Sequence, residues 1–335
     1  MSRLALRGAA LLAAALVVTS CGNSSGDDTS SSGGSGGSPG GSAGSAFPVT
    51  VDTAFGAIKV DEQPERVVAL GWSDAETALS LGVQPVGASD WLGFGGEGVG
   101  PWAKGLYKTA PKIIATTEPS FEEIAALKPD LILDTRSDAT QARYEQLSKI
   151  APTIGQPKGV GAYQTSWQQQ LELVGKALGR SDQAGTLESD TEKAFADAKA
   201  AHPEFTGRTV AVGADTSAGF GAYVRGDSRV DFMEQLGFTN KKEIQDLATP
   251  SFYVSVSNEQ LPLFDADLTV MFPIFIKADV ITGNPLWQAI PSVQRGHAVV
   301  LEDQTLVNAF SSGDALGIRY ALDQAVPQFA TAVSK

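Results

Sequence analysis

The sequence predicts an α/β protein whose two lobes contain mostly parallel sheets and are joined by one long helix. Buried strand patterns alternate with helical patterns along most of the chain, which is typical of parallel sheets covered by helices. The chain has 335 residues, enough for two hydrophobic cores. One uninterrupted helical pattern separates the two series. We therefore expect an N-terminal lobe at residues 47–180, a connecting helix at 181–201 and a C-terminal lobe at 202–335.

The connecting helix is predicted from the residues at its ends and from its apolar face. Ser181 is a favourable N-cap, Asp182 suits the first turn, and Pro203 ends the pattern. At 1.5 Å per residue the helix would be a rod of about 30 Å. An ordinary amphipathic surface helix is the alternative interpretation. The apolar residues recur at three- and four-residue steps: Ala184, Leu187, Ala194, Phe195, Ala198 and Ala201.

The first part of the chain predicts export and membrane attachment. Arg3 and Arg7 precede an apolar run too short to span a bilayer, which is typical of a signal peptide over residues 1–20. The following Val-Thr-Ser-Cys resembles the bacterial lipobox, which implies cleavage before Cys21 and lipidation of Cys21, including palmitate. Cys21 is the only cysteine, so no disulfide is expected. A plain secretory peptide is the alternative.

Residues 21–46 are predicted to be the lipidated cysteine and a flexible tether. Of the 25 residues after Cys21, 18 are Gly or Ser, a composition typical of linkers. The first 46 residues contain two arginines and two aspartates, so the net charge of −13 belongs to the remainder of the chain. Such an acidic protein is not expected to bind nucleic acid.

The elements of each lobe are predicted from short apolar runs and from helical spacing. In the first lobe we expect strands at residues 66–70, 85–88 and 131–133, and helices at 74–81, 121–127, 141–150 and 167–178. In the second lobe we expect strands at 209–213, 268–272 and 299–301, and helices at 230–236 and 315–329.

One motif occurs once in each lobe, with an offset of 137 residues. SFEEIAALKPDL at residues 120–131 matches SNEQLPLFDADL at residues 257–268. The Ser-x-x-Glu and Ser-x-x-Gln patterns predict capping boxes. They leave Glu122 and Glu259 unexplained, each at the second helical position. Complementing the helix dipole is one explanation; a matched pair of exposed carboxylates for a basic partner is the other.

The sequence contains no arrangement that predicts catalysis or a protein-bound metal. The two histidines, His202 and His297, do not have metal-ligand spacing, and there is no Walker loop or Gly-x-Ser-x-Gly motif. We therefore predict no catalytic residue, no metal ligand and no enzyme.

Aromatic and cationic residues follow the predicted strands. In α/β sheets, ligands bind beyond the carboxyl ends of the strands. A cleft at this position would stack a flat ligand and neutralise anionic groups. Taken singly, each residue could equally be a packing or a solvated side chain. The candidate ligand-binding residues are Trp72, Trp91, Trp102, Arg136, Tyr223, Arg225, Arg229 and Phe275.

Five segments resemble the substrate-binding lipoproteins of bacterial ABC importers for iron–siderophore complexes, heme and vitamin B12. The resemblance covers about residues 47–330 and implies two α/β lobes joined by one long helix. The segments are PERVVALGWSDAETALSLGVQPVGASDW, EPSFEEIAALKPDLIL, YEQLSKIAPTI, VSNEQLPLFDADL and NPLWQAIPSVQRG.

The resemblance also implies roles for individual residues. Glu122 and Glu259 match the carboxylates that dock on the permease. Arg136 matches one ligand arginine of the catecholate-siderophore branch, and Arg229, with Arg225 as a substitute, matches a second. A third arginine would fall near Ile274 and is missing. Two arginines among several aromatics favour a hydroxamate or mixed-ligand siderophore over a tri-anionic catecholate.

The resemblance implies a monomeric receptor, anchored by its lipid at the outer face of the cytoplasmic membrane. It would bind a ferric siderophore between its lobes and deliver it to an ABC permease. Fe³⁺ would be held by oxygens of the chelator, with no cofactor and no protein metal ligand. Heme or cobalamin on the same scaffold is the alternative, followed by an envelope enzyme or a sensor ectodomain.

Overall fold

Two β-sheets organise residues 47–335, the part of the chain that this computed structural model describes. The predicted signal peptide, Cys21 and the tether lie outside the described residues. The described residues belong to one compact unit. None of the helices within residues 47–335 is long and apolar enough to cross a membrane.

The first lobe begins with an antiparallel hairpin and continues with alternating strands and helices. Its elements are β1 (Val49–Thr53), β2 (Gly56–Val60), β3 (Val67–Ala69), α1 (Asp74–Ser80), β4 (Gly87–Ser89), β5 (Lys112–Ile114), α2 (Phe121–Ala126), β6 (Leu131–Leu133), α3 (Gln141–Leu147), β7 (Thr153–Ile154) and α4 (Trp167–Ala177). The last five strands form a parallel sheet in the order β5-β4-β3-β6-β7. Its central strands β3 and β6 are fully buried, as expected when both faces are covered.

The second lobe contains a mixed sheet that follows the long helix. Its elements are α5 (Ser181–Ala201), β8 (Thr209–Thr216), β9 (Gly219–Tyr223), α6 (Ser228–Gln235), β10 (Thr239–Asn240), α7 (Lys242–Gln245), β11 (Tyr253–Val256), β12 (Leu268–Ile274), α8 (Ala278–Thr282), α9 (Pro285–Gln288), α10 (Pro291–Gln294), β13 (Ala298–Val300), α11 (Gln304–Ser312) and α12 (Ala315–Val333). The strand order is β11-β9-β8-β12-β13, with β10 paired to β8. β8, β10, β12 and β13 are parallel, whereas β9 and β11 are antiparallel to their neighbours.

The predicted long helix is confirmed at both ends by α5, but its predicted cap is wrong. Arg180 occupies the N-cap position, and Ser181 is already helical. The reason is the short turn after α4. Gly179 has a φ of 66°, and the Arg180 N–H donates to the Gly175 oxygen at 2.7 Å. Only Leu178 and Gly179 lie between the end of α4 and Arg180, so the second helix begins directly after this closed turn.

β9 was not predicted, and it changes the position of Tyr223. We expected Tyr223, Arg225 and Arg229 to lie at the exit of a strand at 209–213, and for Tyr223 this expectation is wrong. β8 continues to Thr216, and β9 returns antiparallel to it with Ala222 opposite Gly213. Tyr223 therefore lies beside the middle of β8 and not beyond its carboxyl end. Glycine and alanine dominate β9, so the segment has no apolar alternation that would reveal a strand.

The repeated motif adopts related capping geometry in the two lobes. Ser120 Oγ accepts a hydrogen bond from the Glu123 N–H at 3.2 Å. In the second lobe, the Ser257 N–H donates to Gln260 Oε1 at 3.1 Å. The second motif starts a 3-10 helix, Asn258–Phe264, with Pro262 inside it. A proline there removes a main-chain donor, which disfavours an α-helix.

The aspartate near the end of each motif accepts a hydrogen bond from a main-chain N–H at the beginning of a neighbouring strand. Asp130 Oδ1 accepts from the Arg66 N–H at 2.9 Å, just before β3. Asp267 Oδ2 accepts from the Thr209 N–H at 2.8 Å, at the start of β8. Each aspartate thus fixes the start of the strand that pairs with its own strand. The internal repeat read from the sequence is a structural repeat.

Candidate ligand-binding site

An aromatic pocket of about 300 Å³ lies where the second sheet meets Trp72 of the first lobe. Tyr223 and Phe252 form stacked walls, with ring centroids 6.4 Å apart. Arg229 is the one charged side chain among the described residues that line it. The lining is completed by Ala214, Thr216, Ala218, Gly219, Phe220, Gly221, Tyr253, Ser255 and Ile274.

Trp72 is held from behind by a second tryptophan. The rings of Trp72 and Trp91 are stacked, with centroids 6.1 Å apart, and Trp91 Nε1 donates to the Leu70 oxygen at 2.8 Å. The ring of Trp91 contacts the edge of Tyr163, with centroids 5.5 Å apart. The ring of Tyr163 in turn contacts Phe252 of the second lobe, with centroids 5.9 Å apart. The indole Nε1 of Trp72 is buried and has no hydrogen-bond partner among residues 47–335.

Arg136 is buried beside Trp72 and is bound at all three of its nitrogens. Its guanidinium carbon lies 4.8 Å from the centre of the Trp72 ring. Nη1 donates to the Ser312 oxygen at 2.9 Å, Nη2 to Ser228 Oγ at 3.1 Å, and Nε to the Tyr163 oxygen at 3.2 Å. Burial lowers the pKa of Arg136 to about 10, so it remains charged at neutral pH.

Arg229 is paired with an aspartate inside the protein. Its Nη1 donates to Asp227 Oδ2 at 2.6 Å, and its Nε donates to Ser311 Oγ at 3.0 Å. Both members of the ion pair are buried. The guanidinium carbon lies 4.2 Å from the centre of the Tyr223 ring and 5.6 Å from that of Trp72. The arginine therefore belongs to the pocket wall while its charge is compensated.

A buried aspartate positions the segments that carry Trp72 and Arg136. Asp74 Oδ2 accepts from the N–H groups of Gly71 at 2.9 Å and of Thr135 at 3.0 Å. Gln170 Nε2 donates to Asp74 Oδ1 at 2.7 Å and to the Trp72 oxygen at 2.9 Å. Burial raises the pKa of Asp74 to about 6 despite these donors. The network joins the ends of β3 and β6 to α4.

The corner at Gly71 has no room for a side chain. A Cβ atom at this position would lie 2.3 Å from Asp74 Oδ2 and 2.9 Å from the Arg136 nitrogen. The close approach lets the two strand ends share one carboxylate. Trp72 is further joined to the other strand end because its N–H donates to the Arg136 oxygen at 2.9 Å.

The structure brings together five of the eight predicted ligand residues. Trp72, Tyr223 and Arg229 line the pocket, whereas Trp91 and Arg136 contact Trp72 from behind and from the side. Phe252, Tyr163 and Asp227 were not predicted. The Asp-Ser-Arg sequence could have indicated Asp227, because an aspartate before a helical pattern is a typical N-cap. Phe252 and Tyr163 lie in loops, where no periodic spacing of apolar residues marks them.

The other three predicted residues are not among those that line the pocket. Trp102 is half-buried between Phe94 and Tyr320. Arg225 is exposed and forms an ion pair with Glu234 at 2.7 Å. Phe275 follows the lining residue Ile274, and its side chain is 100% exposed with a φ of 57°.

The predicted docking carboxylates are both exposed. Glu122 is the second residue of α2, and Glu259 is the second residue of the 3-10 helix Asn258–Phe264. Within residues 47–335, no group of three or more His, Cys, Asp or Glu side chains could hold a metal ion.

Two α/β lobes with an aromatic pocket at their junction define a two-lobed binding protein. The chain belongs to the periplasmic binding protein family, whose sequence model matches residues 67–305. This confirms both the predicted family and the predicted fold class.

Three similar proteins have names or titles that mention a siderophore, ferric enterobactin or ferrichrome. The probable siderophore-binding lipoprotein YfiY of Bacillus subtilis is 29% identical over 301 residues, covering 82% of this chain and 85% of YfiY. The ferric enterobactin-binding periplasmic protein FepB of Escherichia coli is 28% identical over 289 residues, covering 77% of this chain and 85% of FepB. The crystal structure of PiaA from Streptococcus pneumoniae in complex with ferrichrome superposes with a TM-score of 0.73 at 27% identity, covering 85% of this chain and 99% of PiaA.

Proposed function

We propose that this protein binds a ferric siderophore in the aromatic pocket and delivers it to an ABC importer. The observation that carries the proposal is the pocket itself, in which Trp72, Tyr223 and Phe252 present aromatic surface around one arginine. The names of YfiY, FepB and the PiaA complex support the same ligand class.

Iron is held by the oxygens of the chelator and not by side chains of the protein. The pocket supplies aromatic walls that cover the chelate. The Arg229 guanidinium supplies a donor for its outer oxygens. The protein contributes recognition only, with no catalytic residue and no cofactor.

Delivery depends on two docking carboxylates and on the lipid anchor. Exposed Glu122 and Glu259 dock on basic residues of the permease, one carboxylate from each lobe. Lipidated Cys21 and the tether through residue 46 hold the receptor at the outer face of the cytoplasmic membrane. The receptor acts as a monomer with lobes at residues 47–180 and 202–335.

Tryptophan fluorescence of the full-length protein, titrated with iron chelates, tests the proposal. A ferric hydroxamate or ferric catecholate at sub-micromolar concentration should quench the emission saturably, because Trp72 lines the pocket. In the Trp72→Phe variant most of this quenching should disappear. A response to heme or cobalamin alone would replace the siderophore by the alternative ligand. If no iron chelate binds, the proposed function is wrong.

A further inference from the structure

The charge of the pocket is balanced within the protein before any ligand enters. Arg229 is the one charged side chain lining the pocket in the part of the chain that the structure describes. Its Nη1 contacts Asp227 Oδ2 at 2.6 Å, and both side chains are at most 4% exposed. A pair this close and this buried acts on a ligand as a dipole and not as a free positive charge.

Arg136 does not supply the missing positive charge. Its three nitrogens already donate to Tyr163, Ser228 and Ser312, and it is 2% exposed. It also does not belong to the pocket lining. Three acidic side chains, Asp227, Asp231 and Asp314, act electrostatically on Arg136. Asp227 therefore offsets the charge of both arginines, and Asp231 and Asp314 add to its effect on Arg136.

The remaining walls would repel an anion. The faces of Trp72, Tyr223 and Phe252 carry the negative side of the aromatic quadrupole. Moving a multiply charged anion from water into such a pocket without a counter-charge is strongly unfavourable. A neutral chelate loses much less hydration energy and gains the aromatic contact.

We propose that Asp227 determines the specificity of the pocket by neutralising Arg229, so that the site takes a ferric chelate without net charge. The inference rests on the proposed function and names the ligand class within it. Three monoanionic hydroxamates leave their Fe³⁺ complex neutral, whereas three dianionic catecholates leave it with three negative charges. The ligand is therefore a ferric tris-hydroxamate, whose outer oxygens accept hydrogen bonds from Arg229.

Asp227→Asn is the decisive variant because it removes the charge and keeps the helix cap. Asp227 Oδ1 accepts from the Arg229 N–H at 2.9 Å at the start of α6, and asparagine is an equally good N-cap. The control is Glu234→Gln on the same helix. Glu234 is also paired with an arginine, Arg225, at 2.7 Å, but neither residue lines the pocket. The two variants change the net charge of the protein by the same amount.

The experiment measures the dissociation constants of a ferric tris-hydroxamate, ferrichrome, and of a ferric tris-catecholate for the full-length protein and both variants. The wild type should bind the neutral chelate at least about 10-fold more tightly. Asp227→Asn should shift the ratio of the two constants toward the catecholate by about 10-fold, the scale of one close charge pair. Glu234→Gln should leave the ratio unchanged.

Three results would overturn the inference, and they are distinguishable. Tighter binding of the catecholate by the wild type would contradict a neutral pocket, whether or not the variant folds. An unchanged ratio in folded Asp227→Asn would assign the preference to shape and remove the role of Asp227. Binding of neither chelate would remove the proposed function together with the inference.

Discussion

Arg136 Nη1 donates a hydrogen bond of 2.9 Å to the main-chain oxygen of Ser312, which joins the end of β6 to the last residue of α11. The same oxygen accepts from Ser73 Oγ at 2.8 Å. One carbonyl of the second lobe thus receives two donors from the first. An arginine expected to face the ligand instead joins the two lobes.

Arg136→Lys should lower the free energy of unfolding by about 2–3 kcal/mol. A lysine keeps the charge but cannot reach the acceptors of Tyr163, Ser228 and Ser312 together, and hydrogen bonds to charged groups contribute about 1.5–3 kcal/mol. Urea unfolding measures the difference. Arg225→Lys, at an exposed arginine, should change stability by less than about 0.5 kcal/mol. Equal stability of the two variants would show that the Arg136 contacts contribute nothing to the fold.

Asp74 should make stability depend on pH between its unfolded and folded pKa values. Burial raises its pKa from 3.8 to about 6, so in this window the folded protein binds a proton that the unfolded chain has released. The contribution of Asp74 is fully present below 3.8 and is lost as the pH rises through 6. The unfolding free energy of the wild type minus that of Asp74→Asn should fall by about 3 kcal/mol from pH 3.5 to pH 7.

Urea unfolding of both proteins at a series of pH values provides this difference curve. The constant offset between the two proteins, which includes hydrogen bonds that asparagine cannot accept, does not enter the prediction. A difference that is flat with pH would mean that the Asp74 carboxyl has an ordinary pKa in the folded state.

Phe275 should be strained and should still contribute to binding. An exposed phenylalanine with a φ of 57° is in a conformation that costs an L-residue roughly 1–2 kcal/mol. Phe275→Gly and Phe275→Ala both remove the ring beside Ile274, and both should weaken ligand binding equally. Only glycine relieves the strain, so Phe275→Gly should be about 1 kcal/mol more stable than Phe275→Ala. Thermal unfolding and ligand titration separate the two effects, and ligand affinity equal to that of the wild type would remove Phe275 from the site.

Glu122 and Glu259 should matter for transport and not for ligand affinity. The double variant Glu122→Gln/Glu259→Gln should keep the dissociation constant of the ferric chelate while iron uptake by cells falls at least about tenfold. The control is Glu192→Gln/Glu302→Gln, which removes two other exposed carboxylates. Normal uptake in the first double variant would exclude the docking role.

The elements that could be predicted are those whose burial is visible in the local sequence. β6 was predicted with its bounds, 131–133, because three consecutive apolar residues covered on both faces need no tertiary information. α5 was predicted because 21 residues repeat one apolar face. β9 could not be predicted, because its glycines give no clear alternation and its pairing is decided by distant neighbours. β11 does alternate, with Val254 and Val256 buried, but it has only four residues and was not predicted.

The sequence indicated which types of residue form the site, but it did not indicate how they interact. Trp72, Tyr223 and Arg229 were predicted as ligand residues and line one pocket, but Arg229 was expected to be free to neutralise a ligand. The Asp-Ser-Arg sequence is equally compatible with a helix cap alone and with a buried ion pair. Only the folded position of Asp227, at 2.6 Å from Arg229, distinguishes these possibilities.

Gly71 limits how this pocket could be redesigned. A single added carbon would collide with Asp74 Oδ2 at 2.3 Å and with the Arg136 nitrogen at 2.9 Å. A methyl group there would displace the Asp74 carboxylate, the loop that carries Trp72 and the main chain of Arg136 together. A saturation library at residue 71 should yield glycine alone among functional clones. Evolution toward a new ligand therefore has to change other residues of the pocket and keep Gly71.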